Sequence, residues 1–447
     1  MLTTTTTYHS TESAEISKIM SHTTSLGPHC KNEDQDNQLR SFLSILSSDS
    51  VTSNYLQRYR RRQQYLTVMF SGPTAIVYDH PLHRRIPYSP HMWSIQDRSD
   101  DWCLEFLRFS KRQICELAVL LQIPDHFDNR YRAPPTTALA VVCFRLSWPL
   151  RLKDRISEFG HECGWLSCIF NGVCTHLYTL FKEKLEWDTE FLTPSRLDYY
   201  CLKTYERGEP SGLVWGFIDG THQSICRPRP ETADQEIFFS GHKHDHTMQF
   251  LAVVVPDGLI ACMYGPYEGR AGDWGMLKES GLQQKIVDHA RDTDGDRVYV
   301  YGDKAFYLEE GVIGAYRMRR GQELSAEEGT FNSFMAKQRM CVEWGFGKIT
   351  QYFEFNNLRK NFKIGLSPAG SYYFTSALLT NCHTCYNGSK TSSSFECQPP
   401  SIHNYFHISS ERQAELSIAI TSFLSHTLHP ENSESPRSLG LASSEGY

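Results

Sequence analysis

No long apolar run occurs in this sequence. Across 447 residues nothing approaches the roughly 18 uninterrupted apolar residues of a membrane helix, and the best stretch, residues 138–148, carries Arg145 inside it. No membrane partner is therefore expected. No secretory leader is expected either, since Met1-Leu2 runs into threonines without a basic or an apolar region. Positive charge is not in excess. Lys and Arg number 45 against 51 Asp and Glu, a net charge of -6, which excludes a polybasic chain held to nucleic acid by bulk charge but leaves room for a local basic groove. Nor do the 14 cysteines make a ligand framework. They are scattered, several (Cys168, Cys174) within apolar helical patterns, and Cys382-His-Thr-Cys385 has no second pair, so they are expected to be reduced core thiols of an intracellular protein.

The remaining composition divides the chain. Residues 1–100 are rich in Ser and Thr, weak in apolar periodicity, and expected to be largely disordered. Their one feature is a basic cluster, Arg58, Arg60, Arg61 and Arg62, either a solvated charge run or a nuclear localisation signal or phosphate-contacting arm. From residue 101 to about 205 helical spacing dominates. Leu104, Leu107, Ile114, Leu117, Leu120 and Leu121 recur at helical intervals, with Ser110 placed to cap a helix from Lys111. Thr136 or Thr137 could cap a second helix, stopped by Pro149. A short helix over 152–159, Gly160, the turn His161-Glu-Cys-Gly164 and a long helix with Leu166, Ile169, Phe170, Val173, Leu177, Leu180 and Phe181 on one face follow. That order fits either a helical bundle or a helix-turn-helix-like domain, although the second helix has few basic residues to offer DNA.

Strand signals begin near residue 213. Apolar runs over 213–218, 248–255 and 259–264 are separated by Asp219-Gly220 and by the turn Pro256-Asp257-Gly258, which makes the last two a hairpin. A helix over 273–280, a fourth strand over 298–301 ending at Gly302-Asp303, a long helix over 331–353 and another after Pro368 complete the pattern. Residues 389–447 return to Ser, Pro and Glu and are expected to form a flexible tail. Three strands, a helix, a fourth strand and a late helix is the order of an RNase H-like α/β domain, with a mixed central sheet and flanking helices, over 210–388. Such a fold can place one aspartate on the first strand, a second beyond the fourth, and a third carboxylate on the late helix. Asp219, Asp303 and Glu343 occupy those slots. Phosphodiester chemistry gives such a grouping a purpose: two divalent ions about 3.5–4 Å apart can generate the nucleophile and relieve charge on the phosphorus oxygens, and hard carboxylate oxygens suit Mg²⁺.

Four ordered blocks carry a resemblance. Trp215-Gly-Phe-Ile-Asp219-Gly-Thr-His222, then Gly265-Pro-Tyr-Glu-Gly-Arg-Ala-Gly-Asp273-Trp-Gly-Met-Leu277, then Tyr301-Gly-Asp303-Lys-Ala-Phe-Tyr307, and finally Phe331-Asn332 with Arg339, Val342-Glu343 and Phe346-Gly347 together resemble the PIF/Harbinger-type DDE transposases. The resemblance covers about residues 210–385, and the helices upstream are similar to that family's helical region. It implies a DDE endonuclease with Asp219, Asp303 and Glu343 as catalytic metal ligands, two Mg²⁺ ions (Mn²⁺ as substitute), cut-and-paste transposition on double-stranded DNA ends and target, a nuclear location, and a separate Myb-like DNA-binding partner. A homo-oligomer fits the same picture. The chain departs from the pattern at Gly272, where a histidine is common, and at Lys304 and Tyr307, where a small residue and a proline are common.

Several roles stay open at this level. Asp273, at a helix start, is either an auxiliary catalytic carboxylate or a cap; Asp303 is the preferred second ligand. His222 could touch a phosphate or make a structural hydrogen bond. Arg339, one turn before Glu343, could steady that carboxylate or contact DNA. Arg317, Arg319 and Arg320 are the best local basic patch for a DNA backbone. The tract His242-Lys-His244 with His246 finds no ligand pair at zinc spacing. A domesticated, non-cleaving DNA-binding or adaptor protein on the same fold is the alternative function.

Overall fold

The computed structural model describes residues 93–127, 131–228, 234–318 and 323–425. The expected disordered region up to residue 92, with its arginine cluster, lies outside the described residues, as do Arg319 and Arg320.

Helical elements come first. Ser99 caps α1 (Asp100–Leu107) through a bond from the Trp102 N–H, and left-handed Arg108 ends it. Ser110 and Gln113 form a reciprocal capping box on α2 (Lys111–Leu120), a device worth about 1 kcal/mol. The apolar series of this segment therefore serves two helices, and Leu104 is left exposed. After a two-residue hairpin, β1 (His126–Phe127) with β2 (Tyr131–Arg132), comes α3 (Pro135–Ser147), which is capped by neither threonine. Pro135 instead occupies the first turn, where its missing N–H costs nothing. A 3-10 turn and α4 (Ile156–Phe159) end at Gly160, whose φ of 70° reverses the chain into α5 (Cys163–Glu186). The helix-turn-helix order is thus present. Helix α5 lays its apolar face on α3 and on later elements of the chain, and Leu180 stays exposed. Its exposed positions Gly164, Thr175, Thr179, Leu180 and Glu183 are uncharged or acidic, and Lys182, partly exposed, is paired with Glu186. The last helix before the sheet is α6 (Pro194–Glu206).

The sheet is built on β3 (Val214–Ser224), which runs through Asp219 to Ser224 instead of ending at Asp219-Gly220. Its antiparallel pairing with β5 (Asp245–Val254) is continuous from Phe217↔Val254 to Ser224↔Thr247. Before it, α7 (Asp234–Phe238) leads into β4 (Phe239–Ser240), which pairs with the start of β5. The expected hairpin joins β5 to β6 (Ile260–Tyr267). On the other side of β3, β7 (Tyr299–Tyr301) is parallel, and so is the next strand, β8 (Val312–Ile313). Reading across, the order is β6, β5, β3, β7, β8: three antiparallel strands followed by two parallel ones, a mixed sheet in an α/β fold. From Thr247 to Val254 every β5 residue is buried, so both faces of the sheet are covered.

Those covers include α8 (Asp273–Ser280), which matches the expected range, and α9 (Leu282–His289). They also include α10 (Ala326–Tyr352), opened by a Ser325–Glu328 capping box, and α11 (Ala369–Asn387), buried from Ala369 to Thr384. Gly345 of α10 brings that helix against Val254, where a Cβ would stand 3.0 Å from the valine methyl. The apolar row of α10 is Met335, Val342 and Ile349, whereas Phe334 points outward. Helices α3, α5 and α11 pack together, and α5 and α11 both reach β6, so the helical segment and the sheet share one core.

The expected flexible tail is ordered as far as residue 425. It forms α12 (Lys390–Ser394), α13 (Ile402–Tyr405) and α14 (Ser410–Ser425). Cys397, Ile402, Tyr405, Leu416 and Ile420 are buried, and Arg112 of α2 donates to Ser417 (2.7 Å) and Thr421 (3.2 Å) of α14. A few buried apolar anchors hold a segment whose average composition looks like linker. The 13 described cysteines are all free thiols.

Candidate active site

The site begins at Asp219. Its strand is fixed on both edges, by β5 and β7, and Trp215 and Phe217, fully buried, anchor the residues just before it. The carboxylate is mostly covered, with 17 % of its side chain exposed. Oδ1 accepts from the Gly220 N–H at 3.0 Å, and Oδ2 pairs with Arg339 Nη1. Burial pushes this carboxyl up to about 6, Asp273 and Asp303 push in the same direction, and Arg339 opposes them.

Asp273 is reached across the first position after Asp219. A Cβ on Gly220 would lie 2.1 Å from Asp273 Oδ1 and 2.9 Å from the Met276 methyl, so the missing Cβ lets these two α8 side chains seat closely against β3. Asp273 is the first residue of α8 and makes no cap bond. Burial raises its carboxyl, Asp303 raises it further, and Arg339 and His242 act in the opposite sense. The structure thus gives Asp273 a place among the other carboxylates instead of a capping role. Asp303 follows β7, and its Oδ1 accepts the Ala305 N–H at 2.7 Å, which folds the chain after the strand into a turn. The three aspartates come from a strand, a helix start and a post-strand turn, and each lies within Coulombic reach of the other two.

Glu343 lies farther out. Its side chain is 58 % exposed and 3.7 Å from Arg339 Nη2, one helical turn away on α10. Arg339 therefore bridges Asp219 and Glu343, both steadying the glutamate and neutralising the first aspartate. Beside it on the same helix, Gln338 is buried with neither amide atom hydrogen-bonded, an uncommon state for a core polar group. The only sequence signal for it was a polar residue in the Met335–Val342–Ile349 row.

The basic and histidine candidates separate. His222 bonds Thr247 Oγ1 at 3.3 Å and lies parallel to His242 at 6.4 Å. Burial, with Lys243 and His242 nearby, lowers its imidazole to about 4, so at neutral pH it is uncharged. Arg317 sits on the loop after β8, stacked 3.9 Å over the Tyr307 ring and donating to the Lys304 carbonyl. That loop adjoins Asp303. His242 belongs with Asp273 electrostatically, a link invisible in the sequence because the whole β5–β6 hairpin separates the two.

Residues 218–381 match the family model of the DDE superfamily endonucleases. The match encloses Asp219, Asp273, Asp303, Arg339 and Glu343. It begins one residue before the first aspartate and ends within α11. No curated protein and no solved structure matches the chain.

The donor set suits a hard divalent cation: all its members are carboxylates, and two of them are pushed toward protonation by burial and by one another, a repulsion that bound positive charge relieves. With Arg339 on Asp219 and Glu343 turned outward, no group of three or more His, Cys, Asp or Glu among the described residues is closed into a metal cage. Likewise no described helix is long and apolar enough to cross a membrane.

Proposed function

We propose that this chain is a metal-dependent DNA endonuclease of the PIF/Harbinger transposase kind, built on an RNase H-like catalytic domain. The observation that carries the reading is the convergence of Asp219, Asp273 and Asp303 around the central strand β3 of a mixed sheet whose first three strands are antiparallel. Asp219, Asp303 and Glu343 would hold two Mg²⁺ ions, or Mn²⁺ in their place, with Asp273 auxiliary. Such ions supply a nucleophilic oxygen at neutral pH and charge relief at the phosphate.

The protein's own residues set up that chemistry. β3, paired on both sides, and the hydrogen-bonded turn after β7 carry two of the carboxylates. Arg339 holds Asp219 ionised against its burial and keeps Glu343 within reach. Neutral His222 can contact a phosphate oxygen only as a hydrogen-bond donor, not as a counter-charge. Arg317, with Arg319 and Arg320 beyond the described residues, offers positive charge to a DNA backbone. Because the net charge is -6, affinity for double-stranded DNA ends and target is assigned to such local patches and to a Myb-like partner, with a second copy of the chain compatible and the nucleus as its place of work. Inverted repeats flanking the coding region would identify the ends.

One observation favours a second reading. An arginine already pairs with the first carboxylate, as expected of a non-cleaving DNA-binding or adaptor protein on this fold. Incubating the full chain with supercoiled DNA and Mg²⁺ or Mn²⁺ separates the two: divalent-dependent nicking supports the nuclease, whereas metal-independent binding without nicking under any divalent ion supports the adaptor.

A further inference from the structure

Directly beside two of the carboxylates, aromatic rings and positive charges alternate on an open surface. Tyr307, four residues after Asp303, is 49 % exposed. Trp274, the residue after Asp273, meets it edge-on at 4.8 Å and braces it. The Arg317 guanidinium covers one face of the ring and is locked by its bond to the Lys304 carbonyl. Lys278 Nζ lies 4.6 Å from the Trp274 ring. Three chain segments thus converge, each leading directly from the catalytic carboxylates or from β8.

Tyrosine joins an apolar ring to a polar tip and suits a surface that is partly wet. Here the ring is braced on its edge and on one face, so its orientation is fixed while part of it stays open. Positive charge lies on it at Arg317, and Lys304, whose carbonyl Arg317 meets, is exposed nearby in sequence, which complements an anionic backbone; every base has a π-face that stacks on such a ring regardless of sequence. An intact duplex hides its base faces, so only an unpaired nucleotide can use this surface.

We propose that Tyr307 is the stacking platform for an unpaired DNA nucleotide next to the scissile phosphate, with Lys304 and Arg317 holding that nucleotide's phosphate. The site therefore takes DNA whose strands are parted at the cut, not closed duplex alone. This rests on the phosphodiester-cleaving reading of the carboxylates, but its test does not depend on cleavage.

The experiment measures binding of the full chain in EDTA, by anisotropy of a short fluorescein-labelled oligothymidylate, its abasic counterpart and an intact duplex of the same length. Tyr307→Ala is expected to weaken oligothymidylate binding by about tenfold, in line with one base stack. Tyr307→Phe should bind like wild type, and the difference between wild type and Tyr307→Ala should vanish on the abasic strand. Unchanged oligothymidylate binding by Tyr307→Ala overturns the proposal. So does an equal loss on intact duplex, and so does a changed oligomeric state with unchanged DNA affinity, which would make the patch a protein interface. Failure of the nuclease reading would appear separately, as absence of divalent-dependent nicking by wild type with the stacking result intact.

Discussion

Replacing Arg339 with leucine removes the cation that faces Asp219, and the consequence can be worked out from the site. Both side chains are mostly covered, 19 % and 17 % exposed, so the pair lies between a surface bridge worth less than about 1 kcal/mol and a fully buried one whose rupture costs about 3–5 kcal/mol. The pH dependence is more specific. In the wild type the Asp219 carboxyl titrates at about 6, above its ordinary value of 3.8. The folded state therefore binds this proton more tightly than the unfolded chain. The stabilisation that the proton provides is fully present below about pH 4 and is lost as pH rises through about 6. Arg339 holds the value down, so without it the folded carboxyl titrates higher still. Each pH unit corresponds to about 1.4 kcal/mol.

At pH 5 the carboxyl is mostly protonated in both proteins, and Arg339→Leu should cost only about 1 kcal/mol for its lost hydrogen bonds. At pH 8 the cost should reach about 2 kcal/mol or more, because wild-type Asp219 is ionised and paired while the variant must either leave it unpaired or protonate it. Urea denaturation of the two proteins in EDTA at both pH values measures the difference. A cost that is the same at pH 5 and pH 8, or an Arg339→Leu protein more stable than wild type at pH 8, would refute the idea that Arg339 is the counter-charge of Asp219.

Two other substitutions test neighbouring claims. Asp257, fully buried in the β5–β6 turn, accepts from Tyr200 Oη at 2.5 Å and from the Leu259 N–H at 3.0 Å, and burial raises it to about 6. Its proton likewise stabilises the fold at low pH and is lost through about pH 6, so Asp257→Asn should gain up to about 3 kcal/mol at pH 8 relative to its effect at pH 4, read by denaturation at the two values. Gly220→Ala forces the Asp273 carboxylate and the Met276 methyl aside. Both are ends of flexible chains, so stability should fall by about 1 kcal/mol or less while nicking falls at least about tenfold; equal nicking would place Asp273 outside the chemistry.

Much of this arrangement could be read from local chemistry. The Pro256-Asp257-Gly258 turn marks the β5–β6 hairpin, Ser110 marks the start of α2, and the order of strands and helices puts Asp219 on the first strand and Asp303 just beyond the fourth strand signal, which is β7. Other features depend on tertiary context. Asp219-Gly220 reads as a turn, yet β5 pairs past it to Ser224 because the partner strand supplies the ladder. Two-residue β8 is too short to carry a periodic signal. The helices after residue 389 are held by isolated buried residues such as Cys397 and Leu416 in a polar stretch. The close seating of Asp273 against β3 is helped by the missing Cβ at Gly220, which no spacing along the chain reveals, and the pairing of Arg339 with Asp219 as well as with Glu343 joins elements far apart in sequence.

The central claim is that these carboxylates cut DNA with the help of divalent metal. Its most direct measurement is nicking of supercoiled DNA by the full chain in Mg²⁺, compared with EDTA and with Asp219→Ala, Asp303→Ala and Glu343→Ala. The account expects metal-dependent nicking that falls to background in all three variants, with Asp273→Asn retaining part of it. Nicking that survives Asp219→Ala or Asp303→Ala undiminished would contradict it.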